Sequence, residues 1–163
     1  MFFLWGDGRR LRGIIRAWGF TLMEMIIALA LLGILLAIAI PSLQSYAVNE
    51  NLRTAVRDFM SDFAMAKERA ISENTNYTIS FSQGGNQYII TSTSGANTQI
   101  KPFSAYGASI QSSIPAGVTF QTRGTVDPPT DTNGGLTLIN PRGSTAVITW
   151  NAAGRAYAQF AMR

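Results

Sequence analysis

The sequence predicts an α+β protein in which one long N-terminal helix packs on a C-terminal domain rich in antiparallel β-sheet. An apolar run at 20–40 is long enough to form a helix, and a helical spacing of apolar residues continues to about residue 70. The remainder alternates β-branched residues with Gly, Asn and Pro turns. At 163 residues the chain is long enough to bury one core of ordinary size.

The composition removes many kinds of enzyme. The chain contains no Cys and no His, which excludes disulfide frameworks, thiolate zinc sites, cysteine nucleophiles and Ser-His-Asp triads. The net charge of +4 arises mainly in the first nineteen residues, which hold four arginines and one aspartate. Because the rest of the chain is almost neutral, the net charge is no evidence for nucleic-acid binding.

The apolar run Phe20–Ile40 reads FTLMEMIIALALLGILLAIAI, with Glu24 as its single charged residue. As a helix it would extend about 31 Å, which matches the hydrocarbon core of a bilayer. The arginines upstream favour a cytoplasmic N-terminus by the positive-inside rule. A signal peptide would need a shorter run and an A-x-A-like cleavage site, and a buried core helix is the other alternative. The sequence favours a single-pass membrane span.

Glu24 is unusual because an ionised carboxylate within hydrocarbon needs a partner. The span contains no Lys or Arg that could serve. A cut between Gly19 and Phe20 would create an α-amine four residues before Glu24, on the same helix face. The same cut would remove the basic segment 1–19.

The segment GFTLME and the apolar run after it resemble the processing motif of type IV prepilins and type II secretion pseudopilins. The resemblance implies that a prepilin peptidase cuts between Gly19 and Phe20, and that Phe20 is then N-methylated. It also implies that Glu24 pairs with the N-terminus of a neighbouring subunit during assembly. Pro41 stands where many pilins carry a helix-kinking proline. A plain membrane anchor with a chance glutamate is the alternative.

Beyond Pro41 the pattern becomes amphipathic, which predicts that the helix continues to about Ser72 with one face in a core. Pro41 itself is expected to bend or locally melt the helix. The predicted core stripe consists of Leu52, Val56, Phe59, Phe63, Ala66 and Ala70. The charged residues expected on a solvated face, or alternatively in intersubunit salt bridges, are Arg53, Arg57, Asp58, Asp62, Lys67 and Glu68.

The rest of the chain predicts about six antiparallel strands. Strands at 77–81 and 88–91 flank a Gly-rich turn and form a hairpin. The segment 94–117 is expected to be a loop with one short strand, and 127–135 a polar surface loop. The other strands are expected at 118–121, 136–139, 146–150 and 157–161.

Three stretches of this region resemble the GspH/FimT type of minor pilin or pseudopilin: 64–71 followed by Asn74, 114–118, and 140–143 together with 151–155. The resemblance implies a leader at 1–19, a transmembrane and assembly helix at 20–41, and a periplasmic or extracellular pilin-like domain at 42–163. It implies an inner-membrane protein that enters a filament, with no catalysis, cofactor or metal. The implied partners are other pilin or pseudopilin subunits, the prepilin peptidase, the inner-membrane assembly platform, and membrane lipid before assembly.

The kind of filament stays open at this point: a type IV pilus, a type II secretion pseudopilus or a competence pilus. Some FimT-like members bind DNA through a Gly-Arg-x-Arg element, and Gly154-Arg155-Ala156-Tyr157 matches its first half. Arg142, Arg163 and Arg123 are candidates to share a phosphate-binding face with Arg155. The simpler interpretation is that these arginines are scattered over the surface.

One pair of carboxylates is a candidate for hydrolysis. Asp127 and Asp131 are close in sequence, and glycosidase-like chemistry needs two carboxylates. Both lie in a stretch rich in Pro, Thr, Asn and Gly, where Asp is usually a turn residue. The sequence therefore predicts that the protein is not an enzyme.

Overall fold

The computed structural model describes residues 20–95, 97–130 and 135–163. These residues form one α-helix, nine strands and a short 3-10 helix at Phe103–Tyr106. The elements are α1 Leu22–Ser72, β1 Tyr77–Ser82, β2 Gln87–Ser92, β3 Thr98–Pro102, β4 Ser109–Ile114, β5 Gly117–Phe120, β6 Val126–Asp127, β7 Gly135–Ile139, β8 Thr145–Trp150 and β9 Ala156–Ala161. The chain divides into two compact units, with the boundary between Ala39 and Ile40. The α+β class with one long helix is confirmed.

Local side-chain chemistry sets both ends of α1. Thr21 Oγ1 accepts a hydrogen bond from the Glu24 N–H at 3.2 Å and so caps the first turn. At the other end Asn74 takes a positive φ of 50°, and the Thr75 N–H donates to the Ala70 carbonyl at 3.2 Å. This pattern is a Schellman motif with Asn in the left-handed position. The helix runs through Pro41 without interruption, so the local melting expected there does not occur.

The core of the second unit lies against one face of α1. The six residues of the predicted stripe are each at most 1% exposed, which confirms that prediction. Aromatic rings from the strands pack on this face. Phe59 meets Tyr88 edge-on with ring centroids 5.1 Å apart. Phe63 contacts Phe120 at 4.7 Å and Trp150 at 5.6 Å.

The strands form two antiparallel sheets, ordered β3-β2-β1-β5-β6 and β4-β7-β8-β9. The predicted β1–β2 hairpin is confirmed, with Ile79 opposite Ile90. The prediction for 94–117 was wrong, because this segment contains both β3 and β4 as well as the 3-10 helix. Its many Ser, Thr and Gln residues weaken the apolar alternation by which strands are recognised. The two-residue β6 was also missed, since Phe120 and Thr119 of β5 are its only strand partners among the described residues.

Candidate functional site

The described residues of the first unit present an exposed apolar surface. Every residue from 20 to 40 is exposed, and the large apolar side chains range from 49% exposed at Leu36 to 78% at Leu22. Within the described part of the chain, α1 is the one helix long and apolar enough to cross a membrane. An apolar surface of this extent calls for lipid or for other apolar helices around it.

The residues predicted for processing and assembly lie at the start of this unit. Gly19 is outside the described residues, while Phe20 lies two residues before the helix begins at Leu22 and Glu24 stands exposed in its first turn. Cleavage, methylation and the pairing of Glu24 remain predictions. The cap was not among the sequence predictions, although Thr21 and Glu24 have the T-x-x-E spacing of a capping box. Glu24 therefore also has a local role, because a carboxylate in the first turn interacts favourably with the helix dipole.

On the second unit, Asp58 and Asp62 lie one helical turn apart on α1. Their carboxylates bind side chains from β2, β3 and the 3-10 helix. The Tyr88 hydroxyl donates to Asp62 Oδ2 at 2.5 Å, and Lys101 Nζ lies 3.0 Å from the same oxygen. Tyr106 donates its hydroxyl hydrogen to Asp58. Asp62 is only 7% exposed, so its predicted place on a solvated face was wrong. Residues distant in sequence cover it.

The cluster borders a pocket of ≈ 230 Å³, which is lined by Asp58, Asp62, Tyr88, Lys101 and Tyr106. Burial, and then the hydrogen bond to Asp62, raise the pKa of Tyr88 well above its usual range. The hydrogen bond to Asp58 raises the pKa of Tyr106. Both phenols therefore keep their protons and act as donors to the carboxylates. The cluster ties β2, β3 and the 3-10 helix to α1.

The turn between β7 and β8 docks on α1 at Asn49, nearer the start of the helix than Asp58. The buried Asn140 donates to Asn49 Oδ1 at 2.9 Å, and its own Oδ1 accepts from the main-chain N–H groups of Arg142 and Ser144 at 3.0 and 2.9 Å. Ser144 Oγ donates to Asn49 Oδ1 at 2.9 Å. Asn140 thus shapes the turn and fastens it to the helix with the same side chain.

The predicted arginine face is divided between two places. Arg142 donates to the Ser45 hydroxyl, and the Arg163 guanidinium lies 3.8 Å from the position that a Cβ would take on Gly143. Arg155, by contrast, follows the turn at which Lys67 Nζ donates to the Ala153 carbonyl at 2.7 Å. Ser45 and Lys67 are about 33 Å apart along α1.

Arg123 lies in the same region of the fold as Arg155. Each is next in the chain to a glycine, Gly124 or Gly154, that lies close to the Lys67 side chain. Gly154, the first residue of the Gly-Arg element, has a structural role of its own. Its φ is +71°, and a Cβ there would lie 3.0 Å from Lys67 Cδ and 3.1 Å from Val126 Cγ2. The glycine is needed for this close approach, whether or not nucleic acid binds.

The structure describes one of the two carboxylates that are candidates for hydrolysis. Asp127 is exposed in β6, and Asp131 lies outside the described residues. Across the ranges that the structure describes, no group of three or more acidic, His or Cys residues could hold a metal ion. The most extensive apolar surface of the described residues is the exposed segment at 20–40.

Comparison with known proteins places this chain among pilin-like proteins. A family model described as type II transport protein GspH matches residues 55–154. Two curated proteins of Pseudomonas aeruginosa, each called fimbrial protein, are 40% identical to the chain over 72 residues, which is 44% of this chain and 46% of each relative. The chain thus spans less than half the length of these relatives. No solved structure matches.

Proposed function

The chain belongs to the GspH family of type II transport proteins, and from this we propose that it is a minor pilin or pseudopilin that assembles into, or primes, a type IV pilus-like filament. Its type IV pilin-like fold makes it a structural subunit that contacts other pilin subunits. The type II secretion pseudopilus and the competence pilus are the alternative settings.

The observation that carries the proposal is the exposed apolar helix at 20–40. In the inner membrane this surface would lie in lipid, with the leader in the cytoplasm and the domain at 42–163 in the periplasm. In the filament the same surface would pack against the helices of other subunits. Because it stays in apolar surroundings in both states, the subunit could leave the bilayer without exposing the helix to water.

Glu24 would set the register of this packing. After a cut at Gly19 the new amine on Phe20 of an incoming subunit could pair with Glu24 of its neighbour, and a wrong register would leave a charge unpaired in an apolar core. Buried ion pairs are better suited to specifying an arrangement than to adding stability. The prepilin peptidase and the ATP-driven assembly platform of the inner membrane would supply the cut and the extraction.

The experiment compares filaments sheared from a strain lacking this protein with those from the parent and from a complemented strain. Loss of surface filaments that complementation restores would identify a priming subunit of a type IV pilus. Unchanged filaments would direct the test to exoprotein secretion and DNA uptake in the same strains. The proposal fails if all three activities are normal, or if the protein is absent from every filament fraction.

A further inference from the structure

We propose that Arg142 and Arg163 form a membrane-proximal basic surface, which binds the anionic phospholipid headgroups of the periplasmic leaflet while the subunit is held in the bilayer. The inference rests on the proposed function, in which Phe20–Ile40 spans the membrane. It adds a second contact with lipid, made by the folded domain. Its ligand is the phosphate of an anionic headgroup.

Chain length alone places Arg142 close to the bilayer. Its guanidinium donates to Ser45, and Ser45 is five residues beyond Ile40, the last residue of the apolar run. Five residues cover about 7.5 Å in a helix and at most about 18 Å when fully extended. The polar headgroup layer is itself roughly 5–8 Å thick on each side of the hydrocarbon. A long Arg side chain at this level reaches the phosphates.

Arg163 joins Arg142 through the docked turn. Its main-chain oxygen accepts from Asn49 Nδ2 at 3.3 Å, and its guanidinium lies beside Gly143, next to Arg142 in the chain. Both arginines are exposed. The hydrogen bond to Ser45 occupies one donor of Arg142, and a guanidinium has further N–H groups that suit the two-point recognition of a phosphate.

The charge around this surface fits an anionic partner. Between Ile40 and Arg57 the one acidic residue is Glu50, and Arg53 pairs with it at 3.1 Å. The segments 140–144 and 161–163 contain no acidic residue. The other described acidic residues of the second unit lie on α1 from about 27 Å beyond Ile40, just after the end of α1, or in β6. They are Asp58, Asp62, Glu68, Glu73 and Asp127.

Exposed side chains at the same level suit a membrane interface. Leu43 is 66% exposed and Tyr46 68% exposed, and both lie within six residues of Ile40. Tyrosine is enriched at headgroup level because its ring is apolar and its hydroxyl is polar. Duplex DNA offers phosphates too, but nothing would hold it at this end of the domain, whereas the span holds lipid there.

The test uses the full-length protein in vesicles and a fluorophore on a single introduced cysteine, which is unique because the chain has none. The exposed Pro141 carries the proximal label, and the exposed Ala153 carries the distal one in a parallel sample. Vesicles contain a lipid with a quencher on its headgroup, in phosphatidylcholine alone or with a third of phosphatidylglycerol. Quenching reports how closely the labelled turn approaches the headgroups.

We expect phosphatidylglycerol to increase the quenching of the proximal label, and added salt to reverse this increase. The pair R142Q/R163Q should abolish the lipid-dependent increase, with about a fivefold drop in the docked-to-undocked ratio per arginine, the factor equivalent to about 1 kcal/mol. The matched control pair R123Q/R155Q should leave it unchanged. Equal quenching in both lipids, or an equal loss in the control pair, overturns the inference.

Two further outcomes separate this inference from its premise and from nucleic acid. Flotation of the protein with vesicles at high salt tests the span: failure to float overturns the proposed function and this inference together, whereas flotation with lipid-independent quenching overturns the inference alone. If R142Q/R163Q weakens binding of a short duplex but retains the response to phosphatidylglycerol, the arginines serve nucleic acid and the inference is wrong.

Discussion

Asn140 Nδ2 donates a hydrogen bond of 2.9 Å to Asn49 Oδ1, across a separation of 91 residues in the chain. The contact fastens the β7–β8 turn to α1, and with it Arg142, two residues after Asn140. Asn140 is only 4% exposed, so its amide has little access to water as a replacement partner. Asn140 therefore helps to position the basic surface, together with the contacts of Ser144 with Asn49 and of Arg142 with Ser45.

Asn140→Ala should destabilise the protein by about 2–3 kcal/mol, because the half-buried Asn49 Oδ1 loses one of two donors and the N–H groups of Arg142 and Ser144 lose the Asn140 Oδ1 acceptor. Asn151→Ala is the matched control. Asn151 Oδ1 accepts from the Arg155 N–H in the β8–β9 turn, but Asn151 is less buried. Thermal unfolding in detergent measures both variants, and equal losses would contradict the role given to the helix contact.

Stability should fall as the pH rises above about 10, the ordinary pKa of tyrosine. The pKa of Tyr88 is raised in the folded protein, so the unfolded chain releases this proton at a pH where the folded protein still binds it. The slope is at most about 1.4 kcal/mol per pH unit for one such group.

Tyr88→Phe tests that pH dependence. The variant should be less stable at neutral pH, since Asp62 loses a donor, and its stability should decline less steeply between about pH 10 and 12. Tyr157→Phe, at an exposed position, should retain the wild-type profile. If both variants show the wild-type slope, Tyr88 does not cause the alkaline loss.

Gly154→Ala should cost about 1–2 kcal/mol from the left-handed backbone alone, and more if Lys67 cannot withdraw from the new methyl group. Gly84 provides the control, because a Cβ there has no neighbour within 4 Å and its φ is not positive. Gly84→Ala should be nearly neutral. Thermal unfolding compares them, and a neutral Gly154→Ala would show that the turn adapts freely.

Glu24→Ala should permit membrane insertion and processing yet reduce incorporation into filaments, because the pairing charge is lost. Thr21→Ala is the control that the helix cap provides: it removes the Oγ1 acceptor of the Glu24 N–H and leaves the acid. Sheared filament fractions are compared with membrane fractions for each variant. If Thr21→Ala reduces incorporation as much as Glu24→Ala, the acid acts through the start of the helix instead of through a pair.

Duplex DNA, if it binds at all, should show a shallow dependence on salt. Each arginine pair can neutralise about two phosphates, so a duplex held by one pair should give a log–log slope of about −2 or weaker. Arg155→Ala and Arg142→Ala should then have unequal effects, since the pairs are separate. A slope near −4 that both variants reduce equally would require a single phosphate-binding face that contains all four arginines.

The sequence by itself determined the features that depend on near neighbours in the chain. The apolar run, the core stripe from Leu52 to Ala70 and the β1–β2 hairpin follow from local periodicity, and the structure confirms each of them. The GFTLME motif likewise pointed to a pilin-like protein, a type that the family comparison supports. The cap formed by Thr21 could also be predicted from local sequence, because a capping box spans only four residues.

Only the tertiary structure decided which distant residues meet. In the sequence pattern Asp62 cannot be distinguished from its charged neighbours on α1. In the structure Tyr88 of β2 and Lys101 of β3 contact its carboxylate and bury it. Arg142 and Arg155 are thirteen residues apart in the chain, yet β8 carries the turns at its two ends to different parts of α1, near Asn49 and near Lys67. Local patterns encode the period of an element and one buried face; the partners across the fold depend on contacts between segments that no short window of sequence contains.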